Sequence, residues 1–108
     1  MTQPPQIIEL TPTETARRLA AGEIKLIDVR EANEFAAEHI AGAVSMPLSR
    51  FDPSQLQAPP GVALVFHCGI GKRSRMAIGK CAEHGLPYAT HMQGGLAAWK
   101  AAGLPTTR

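Results

Sequence analysis

Aromatic side chains, cysteines and long apolar runs are all scarce in this sequence. Of its 108 residues, 5% are aromatic and two are cysteines. Two cysteines do not form the framework of a disulfide-rich secreted domain. No apolar run approaches the roughly 20 residues that a membrane-spanning helix needs. With an ordinary hydrophobic fraction of 44%, the sequence predicts a globular protein with a single domain over residues 1–108.

The second half of the sequence has few acidic residues, and the first residues show no pattern typical of an export signal. The first five residues lack the basic and apolar regions of a secretion signal, so we expect a cytoplasmic location. Residues 1–52 carry eight acids and five bases, whereas residues 53–108 carry one acid and six bases. The excess of bases in the second half favours small anions as binding partners. Nucleic acid would need a broader stripe of basic residues. We expect neither nucleic acid nor a membrane as a partner.

Hydrophobic patterns predict strands that alternate with helices. The predicted strands cover residues 6–10, 24–29, 44–47, 62–66 and 88–92. The predicted helices begin at Pro12 and Ser74 and stop at Gly22 and Gly85, with shorter helices over 33–38 and 96–102. Residues 48–56 have the pattern of one or two helical turns. A strand, helix and strand within about 25 residues favour a right-handed crossover, and therefore an α/β fold with a parallel sheet.

The most informative stretch is residues 62–75, where an apolar strand ends in Cys68. A loop with two glycines follows, and then three cations: Lys72, Arg73 and Arg75. The loop amides and the first turn of the next helix have no intrahelical acceptors, so they favour an anion. We expect the pKa of the Cys68 thiol to lie below its ordinary value of about 8.5, which would make it a nucleophilic thiolate. The alternative is a buried cysteine that acts only as a small apolar residue.

Three blocks carry a family resemblance: LIDVRE at 26–31, continuing to Phe35 and HIAGA at 39–43; CGIGKRS at 68–74; and QGGLAAWKAAGLP at 93–105. In that order and spacing they resemble the rhodanese family of sulfurtransferases in its single-domain form, over almost the whole chain. The resemblance implies a three-layer fold, in which helices flank a central five-stranded, mostly parallel sheet. It also implies that the cysteine loop lies at the carboxyl edge of that sheet.

The resemblance implies that Cys68 is the catalytic nucleophile of a thiosulfate sulfurtransferase. It would take a sulfane sulfur from thiosulfate or a persulfide donor, hold it as a persulfide, and pass it to cyanide, a thiol or a protein acceptor. The implied substrate-binding residues are Gly69, Ile70, Gly71, Lys72, Arg73 and Ser74. No cofactor or metal is expected. Many members have an arginine where this sequence has Gly69, so we expect a less positive loop entrance.

A cysteine phosphatase or arsenate reductase is the main alternative, because His67, Cys68 and a nearby arginine also resemble that class. Phosphatase loops place five residues between cysteine and arginine. Here Arg73 follows after four residues and Ser74 occupies the phosphatase arginine position. A guanidinium one residue out of register does not bind phosphate oxygens bidentately from the same loop. A non-catalytic rhodanese-like binding module is a further alternative, although such modules usually lack the cysteine.

Other residues have structural interpretations. A zinc site from Cys68, Cys81, His84 and His91 is disfavoured by its ligand spacing. We expect Cys81 and Trp99 to pack in the core, with a polar partner for the indole nitrogen. His67 is expected to be a packed strand residue, His39 to fix the connection that follows Asp28, and Asp28 to form an ion pair with Arg30. Gly94 and Gly95 should bring their backbone close to another element.

Overall fold

The computed structural model describes residues 6–108 of the chain. Within them, five strands form one sheet: β1 (Ile8–Leu10), β2 (Ile24–Asp28), β3 (Val44–Ser45), β4 (Ala63–His67) and β5 (Thr90–Met92). The strand order is β1-β5-β4-β2-β3, and neighbouring strands run parallel. The predicted five-stranded α/β sheet is confirmed, and all four of its strand pairs are parallel.

Within the same residues, three helices connect these strands, α1 (Pro12–Ala20), α2 (Ala32–Ala37) and α3 (Lys72–Glu83), and a fourth, α4 (Gly95–Ala101), follows β5. Two short 3-10 turns, Leu48–Arg50 and Pro53–Gln55, lie between β3 and β4. α1 begins as predicted, because the Thr11 hydroxyl accepts a hydrogen bond of 3.1 Å from the Glu14 amide and Pro12 occupies the first turn. None of the helices described in residues 6–108 is long and apolar enough to cross a membrane.

Alternating side chains of β2 and β4 divide the core into two layers. On one face, Ile27 and Phe66 pack in a cluster with Ile78 of α3. On the other face, Leu26 and Val65 pack in a cluster with buried residues of α4 and partly buried residues of α1. Strands covered on both faces are continuous apolar runs, as residues 62–66 had indicated. The result is the three-layer arrangement that the sequence predicted.

β1 and β5 each begin two residues later than predicted, at Ile8 and Thr90, and the boundary difference that affects the site lies at the carboxyl edge of the sheet. α3 begins at Lys72 rather than at the predicted Ser74. The chain can turn into the helix this early because Gly71 adopts a left-handed conformation with φ 102°. Lys72, Arg73 and Ser74 therefore form the first helical turn, whose amides have no acceptors within the helix.

Candidate active site

Cys68 follows β4 directly and lies at the centre of the cysteine loop, which we define as residues 68–74. Its side chain is fully buried. The Sγ atom accepts hydrogen bonds from the amides of Gly71, at 3.1 Å, and Ser74, at 3.4 Å. The thiol also lies 3.7 Å from the Ser74 hydroxyl oxygen. This arrangement places amide donors around the sulfur, as expected for a loop that holds an anion.

The loop lowers the pKa of the Cys68 thiol. Burial acts in the opposite direction and raises the pKa, but hydrogen bonds from the Ser74 amide and hydroxyl and from the Gly71 and Ile70 amides outweigh it. The direction is the one predicted from the sequence. The cause differs, because we expected the neighbouring cations to contribute strongly, whereas oriented hydrogen-bond donors account for the shift.

Two of the three cations near the loop are paired with carboxylates from the first half of the chain. Arg73 donates two hydrogen bonds to Glu34 of α2, at 2.6 and 3.1 Å. This contact lowers the pKa of Glu34 to about 2. It also raises the pKa of Arg73, with a smaller contribution from the charge of Cys68. Arg75 pairs with Glu9 at 3.0 Å, which corrects the expectation that Arg75 acts on the thiol.

Lys72 is the exposed cation of the loop. Its ammonium group forms no ion pair with the residues that the structure describes. It lines a pocket of about 440 Å³ beside the loop, together with Ile70 and Gly71. Lys72 therefore supplies uncompensated positive charge at the loop entrance, which the sequence analysis had expected from Lys72 and Arg73 together.

The amino end of α4 fixes the backbone of the cysteine loop. The amides of Leu96 and Ala97 donate to the carbonyl oxygens of Cys68, at 2.7 Å, and Gly69, at 3.0 Å. A Cβ atom at Gly95 would lie 2.4 Å from the Cys68 carbonyl oxygen. The expectation that the double glycine approaches another element is confirmed. Because α4 binds these carbonyls, the loop can direct amides toward the sulfur.

A buried ion pair at the end of β2 binds the carboxyl end of α2. Arg30 lies 2.6 Å from the Asp28 carboxylate, and both side chains are buried. Arg30 also donates to the carbonyl oxygen of Glu38 at 2.7 Å. Next to them, His67 is fully buried with Nδ1 3.3 Å from the Cys68 carbonyl oxygen. Burial lowers the pKa of His67, so its ring is neutral. The structural interpretations of these three residues are confirmed.

The remaining predicted residues lie in packed positions. Cys81 is fully buried on α3, and burial raises its pKa to about 11. The Trp99 indole nitrogen donates to the Pro105 carbonyl oxygen at 2.8 Å. His39 stacks on Phe35, with 4.0 Å between the ring centroids. Within residues 6–108 no three His, Cys, Asp or Glu side chains group together in a way that suits a metal ion.

Sequence reasoning missed a polar chain behind the loop. The Ser74 hydroxyl lies 2.7 Å from His91 Nδ1, and His91 Nε2 lies 3.0 Å from a Glu9 carboxylate oxygen. His91 had been considered only as a zinc ligand and Glu9 had no role. The feature that brings these two residues together is the pairing of β1 with β5, in which Glu9 lies opposite His91. That pairing requires the strand order, which the sequence does not provide.

Comparison with known proteins agrees with this geometry. The rhodanese-like domain family model matches residues 11–102. The uncharacterized protein slr1261 of Synechocystis is 47% identical over 83 residues, which cover 77% of this chain and 46% of slr1261. The chain thus spans less than half of that relative. The human thiosulfate:glutathione sulfurtransferase is 32% identical over 96 residues, covering 75% of this chain and 83% of the human protein.

A solved structure shares the fold. The rhodanese-related protein from Thermoplasma volcanium superposes with a TM-score of 0.78 at 22% identity, covering 93% of this chain and 97% of that one. At this identity the likeness concerns the fold. The match of the family model over most of the chain decides the classification: this chain belongs to the rhodanese-like domain family.

Proposed function

We propose that this protein is a sulfurtransferase that carries a sulfane sulfur on Cys68. The observation that carries the proposal is the Cys68 sulfur, which is surrounded by the amides of Gly71 and Ser74 and has a lowered pKa. The thiolate is the reactive form of a cysteine nucleophile. The name of the human relative, thiosulfate:glutathione sulfurtransferase, supports a sulfur donor and a thiol acceptor.

The reaction would proceed in two displacement steps. The Cys68 thiolate attacks the outer sulfur of thiosulfate or of a persulfide donor. A new S–S bond forms, the donor's S–S bond breaks, and sulfite or the donor thiolate leaves with the electron pair. An acceptor thiolate or cyanide then attacks the outer sulfur of the persulfide. The Cys68 thiolate leaves with the electron pair, and the enzyme returns to its starting state without a cofactor or metal.

The loop residues have separate roles in this proposal. The amides of Gly71 and Ser74, with that of Ile70, would hold the negative charge on the persulfide. The exposed Lys72 would attract an anionic donor. Arg73 would also attract the donor at the loop entrance, with a charge that its contact with Glu34 partly neutralises. Gly69 contributes no side chain to that entrance. A reducing compartment such as the cytoplasm suits this chemistry, since it keeps both cysteines and a thiol or protein acceptor reduced.

Intact-mass spectrometry tests the proposal directly. The protein incubated with thiosulfate is expected to gain one sulfur, about 32 Da, which is lost again on adding cyanide or a thiol. Cys68→Ser is expected to gain no mass and to transfer no sulfur, because an alcohol has no accessible anion at neutral pH. The matched variant Cys81→Ala should gain the same mass as the wild type. Sulfur transfer to cyanide by Cys68→Ser would overturn the proposal.

A further inference from the structure

A series of polar contacts leads from the Cys68 sulfur to the pocket beside the cysteine loop. The successive distances are 3.7 Å from Cys68 Sγ to Ser74 Oγ, 2.7 Å to His91 Nδ1 and 3.0 Å from His91 Nε2 to Glu9. The cysteine, serine and histidine are buried, whereas the Glu9 side chain is 38% exposed. Glu9 and His91 both line the pocket of about 440 Å³ beside the loop. These contacts therefore link the buried Cys68 thiol to the partly exposed carboxylate of Glu9.

The hydrogen atoms along these contacts all point the same way. Glu9 is an acceptor, so His91 Nε2 carries the hydrogen of the neutral ring and Nδ1 is free to accept one. While Cys68 is a thiol, the single hydrogen of the Ser74 hydroxyl has two candidate acceptors, His91 Nδ1 at 2.7 Å and the Gly71 carbonyl oxygen at 3.2 Å. The contact with His91 is shorter, so the hydroxyl hydrogen points to His91 Nδ1. The oxygen of Ser74 is then available to accept the thiol hydrogen of Cys68. Once the thiolate has formed, the hydroxyl donates to the sulfur.

We propose that Ser74, His91 and Glu9 form a proton relay that converts the Cys68 thiol to the thiolate. In this step the S–H bond of Cys68 breaks, and the sulfur keeps the electron pair. The proton bonds to Ser74 Oγ, while the original Ser74 hydrogen moves to His91 Nδ1. The ring becomes an imidazolium whose counter-ion is the Glu9 carboxylate, and the product is a thiolate at Cys68 paired with this imidazolium. The total number of protons is unchanged at each stage.

Of the three relay residues, Ser74 contacts the reacting sulfur, so His91 and Glu9 are positioning residues that act through it. The inference requires a thiolate at Cys68 and no particular electrophile, and therefore goes beyond sulfur transfer. It also explains why β1, at the edge of the sheet, presents a carboxylate to a buried histidine. A purely structural role for the same contacts would tie β1 to β5 without coupling the titration of His91 to that of Cys68.

The surroundings of His91 suit a proton acceptor. Burial lowers the pKa of His91, the Glu9 carboxylate raises it, and the charge of Arg75 lowers it further. The charged groups that face the ring are thus Glu9 from β1 and Arg75 from α3, with Lys72 lining the same pocket. A neutral ring at neutral pH can accept the proton, and the adjacent carboxylate stabilises the cation that results.

The test measures the pH at which Cys68 becomes a thiolate, in a Cys81→Ala background with one remaining thiol. Ultraviolet absorbance of the thiolate and the rate of alkylation by iodoacetamide are followed against pH. Glu9→Gln removes the counter-ion, and His91→Asn keeps an amide for Ser74 but cannot gain a proton. Each is expected to raise the apparent pKa of Cys68 by about one unit, so alkylation at low pH slows about tenfold. At high pH, where Cys68 is a thiolate in every protein, the alkylation rates of the variants should equal that of the wild type.

Two controls separate the relay from general electrostatics. His84→Gln removes an exposed histidine whose ring nitrogen contacts only the Lys80 carbonyl oxygen, and it should leave the titration unchanged. Arg75→Gln breaks the exposed ion pair of Glu9 but keeps the Glu9 bond to His91. It should leave the Cys68 titration in place or move it to lower pH. An upward shift equal to that of Glu9→Gln would overturn the relay, because loss of the ion pair would then explain both.

Nuclear magnetic resonance of the His91 ring nitrogens supplies a second readout. If the two groups are coupled, capping Cys68 with iodoacetamide should shift the His91 titration. The relay is wrong if that titration is unchanged, or if Glu9→Gln and His91→Asn both titrate as the wild type does. Should His91→Asn fail to fold, as judged by circular dichroism, Glu9→Gln and the ring-nitrogen titration decide. None of these measurements uses a sulfur donor, so the relay and the proposed sulfur transfer can fail separately.

Discussion

Gly95 packs so closely against Cys68 that a Cβ atom at position 95 would lie 2.4 Å from the Cys68 carbonyl oxygen and 2.6 Å from the carbonyl carbon of Gly69. Gly95 also has a φ of 62°, in the left-handed region that disfavours other residues. The contact lets the amides that follow in α4 bind the loop carbonyls. The shape of the cysteine loop thus depends on a glycine that carries no reactive group.

Gly95→Ala is expected to disrupt the site as well as the fold. The added methyl group must displace the loop backbone, which together with the left-handed strain should lower the free energy of unfolding by roughly 2–4 kcal/mol. Gly103→Ala is a matched control, because Gly103 has a φ of 77° and nothing within 4 Å of its added Cβ. It should lose about 1 kcal/mol and keep its cysteine reactivity. Urea unfolding and Cys68 alkylation rates check both variants; equal behaviour would contradict the proposed role of the contact.

The sequence predicted most of the sheet and the position of Cys68, because strand hydrophobicity and glycine stops are local signals. It did not predict the side chains that surround the loop. Arg73 and Glu34 are 39 residues apart, and His91 and Glu9 are 82 residues apart. Such pairs depend on strand order and on how helices pack across the sheet. The early start of α3 was also missed, since the pattern alone did not show that Gly71 turns the chain directly into the helix.

The contact between Arg73 and Glu34 makes a prediction about donor binding. Arg73→Ala should weaken the use of thiosulfate, because the loop entrance loses a cation. Glu34→Gln should strengthen it, because the same cation is freed from its carboxylate. Both effects should appear in kcat/KM at low ionic strength and shrink as salt screens the charges. If Glu34→Gln has no effect at low salt, Arg73 does not contribute to the charge that the donor meets.

The same contact predicts how stability depends on acid. The pKa of Glu34 is lowered from 4.5 to about 2 in the folded protein. A carboxyl group with a lowered folded pKa contributes stability that is present above its unfolded pKa and is lost as the pH falls through the folded value. Since the Glu34 side chain is 37% exposed, we expect a contribution of about 1 kcal/mol or less. Glu34→Gln should be less stable than wild type at pH 6, and urea titrations should show the difference shrinking below pH 4.5 and largely gone near pH 2.

A variant of Cys81 tests whether the Cys68 thiol alone is sufficient for sulfur transfer. Its side chain is fully buried and burial raises its pKa to about 11, so it has little thiolate at neutral pH. Cys81→Ala should keep the wild-type rate of sulfur transfer and lose about 1 kcal/mol of unfolding free energy through the small cavity left behind. A stable Cys81→Ala protein that no longer releases sulfur to an acceptor would instead make Cys81 a participating thiol.

Loop length distinguishes sulfur transfer from phosphate chemistry. Ser74 occupies the position of the phosphatase arginine, and its amide binds the Cys68 sulfur at 3.4 Å. Arg73, one position earlier, is held by Glu34. The loop should therefore hold one persulfide sulfur and be too tight for a tetrahedral phosphate. We expect hydrolysis of a generic aryl phosphate to remain at background under conditions in which sulfur transfer from thiosulfate is easily measured.

Inserting one glycine after Ile70 tests this argument. The longer loop adds an amide and moves Arg73 to the spacing found in phosphatases, while Ser74 leaves its position beside the sulfur. The variant should lose sulfur transfer and gain weak binding of phosphate or arsenate. Turnover is not expected, since it also needs a placed general acid. A glycine inserted after Pro60, in the exposed turn before β4, is the matched control and should keep sulfur transfer. Faster hydrolysis of aryl phosphates than sulfur transfer by the unmodified protein would favour the phosphatase alternative.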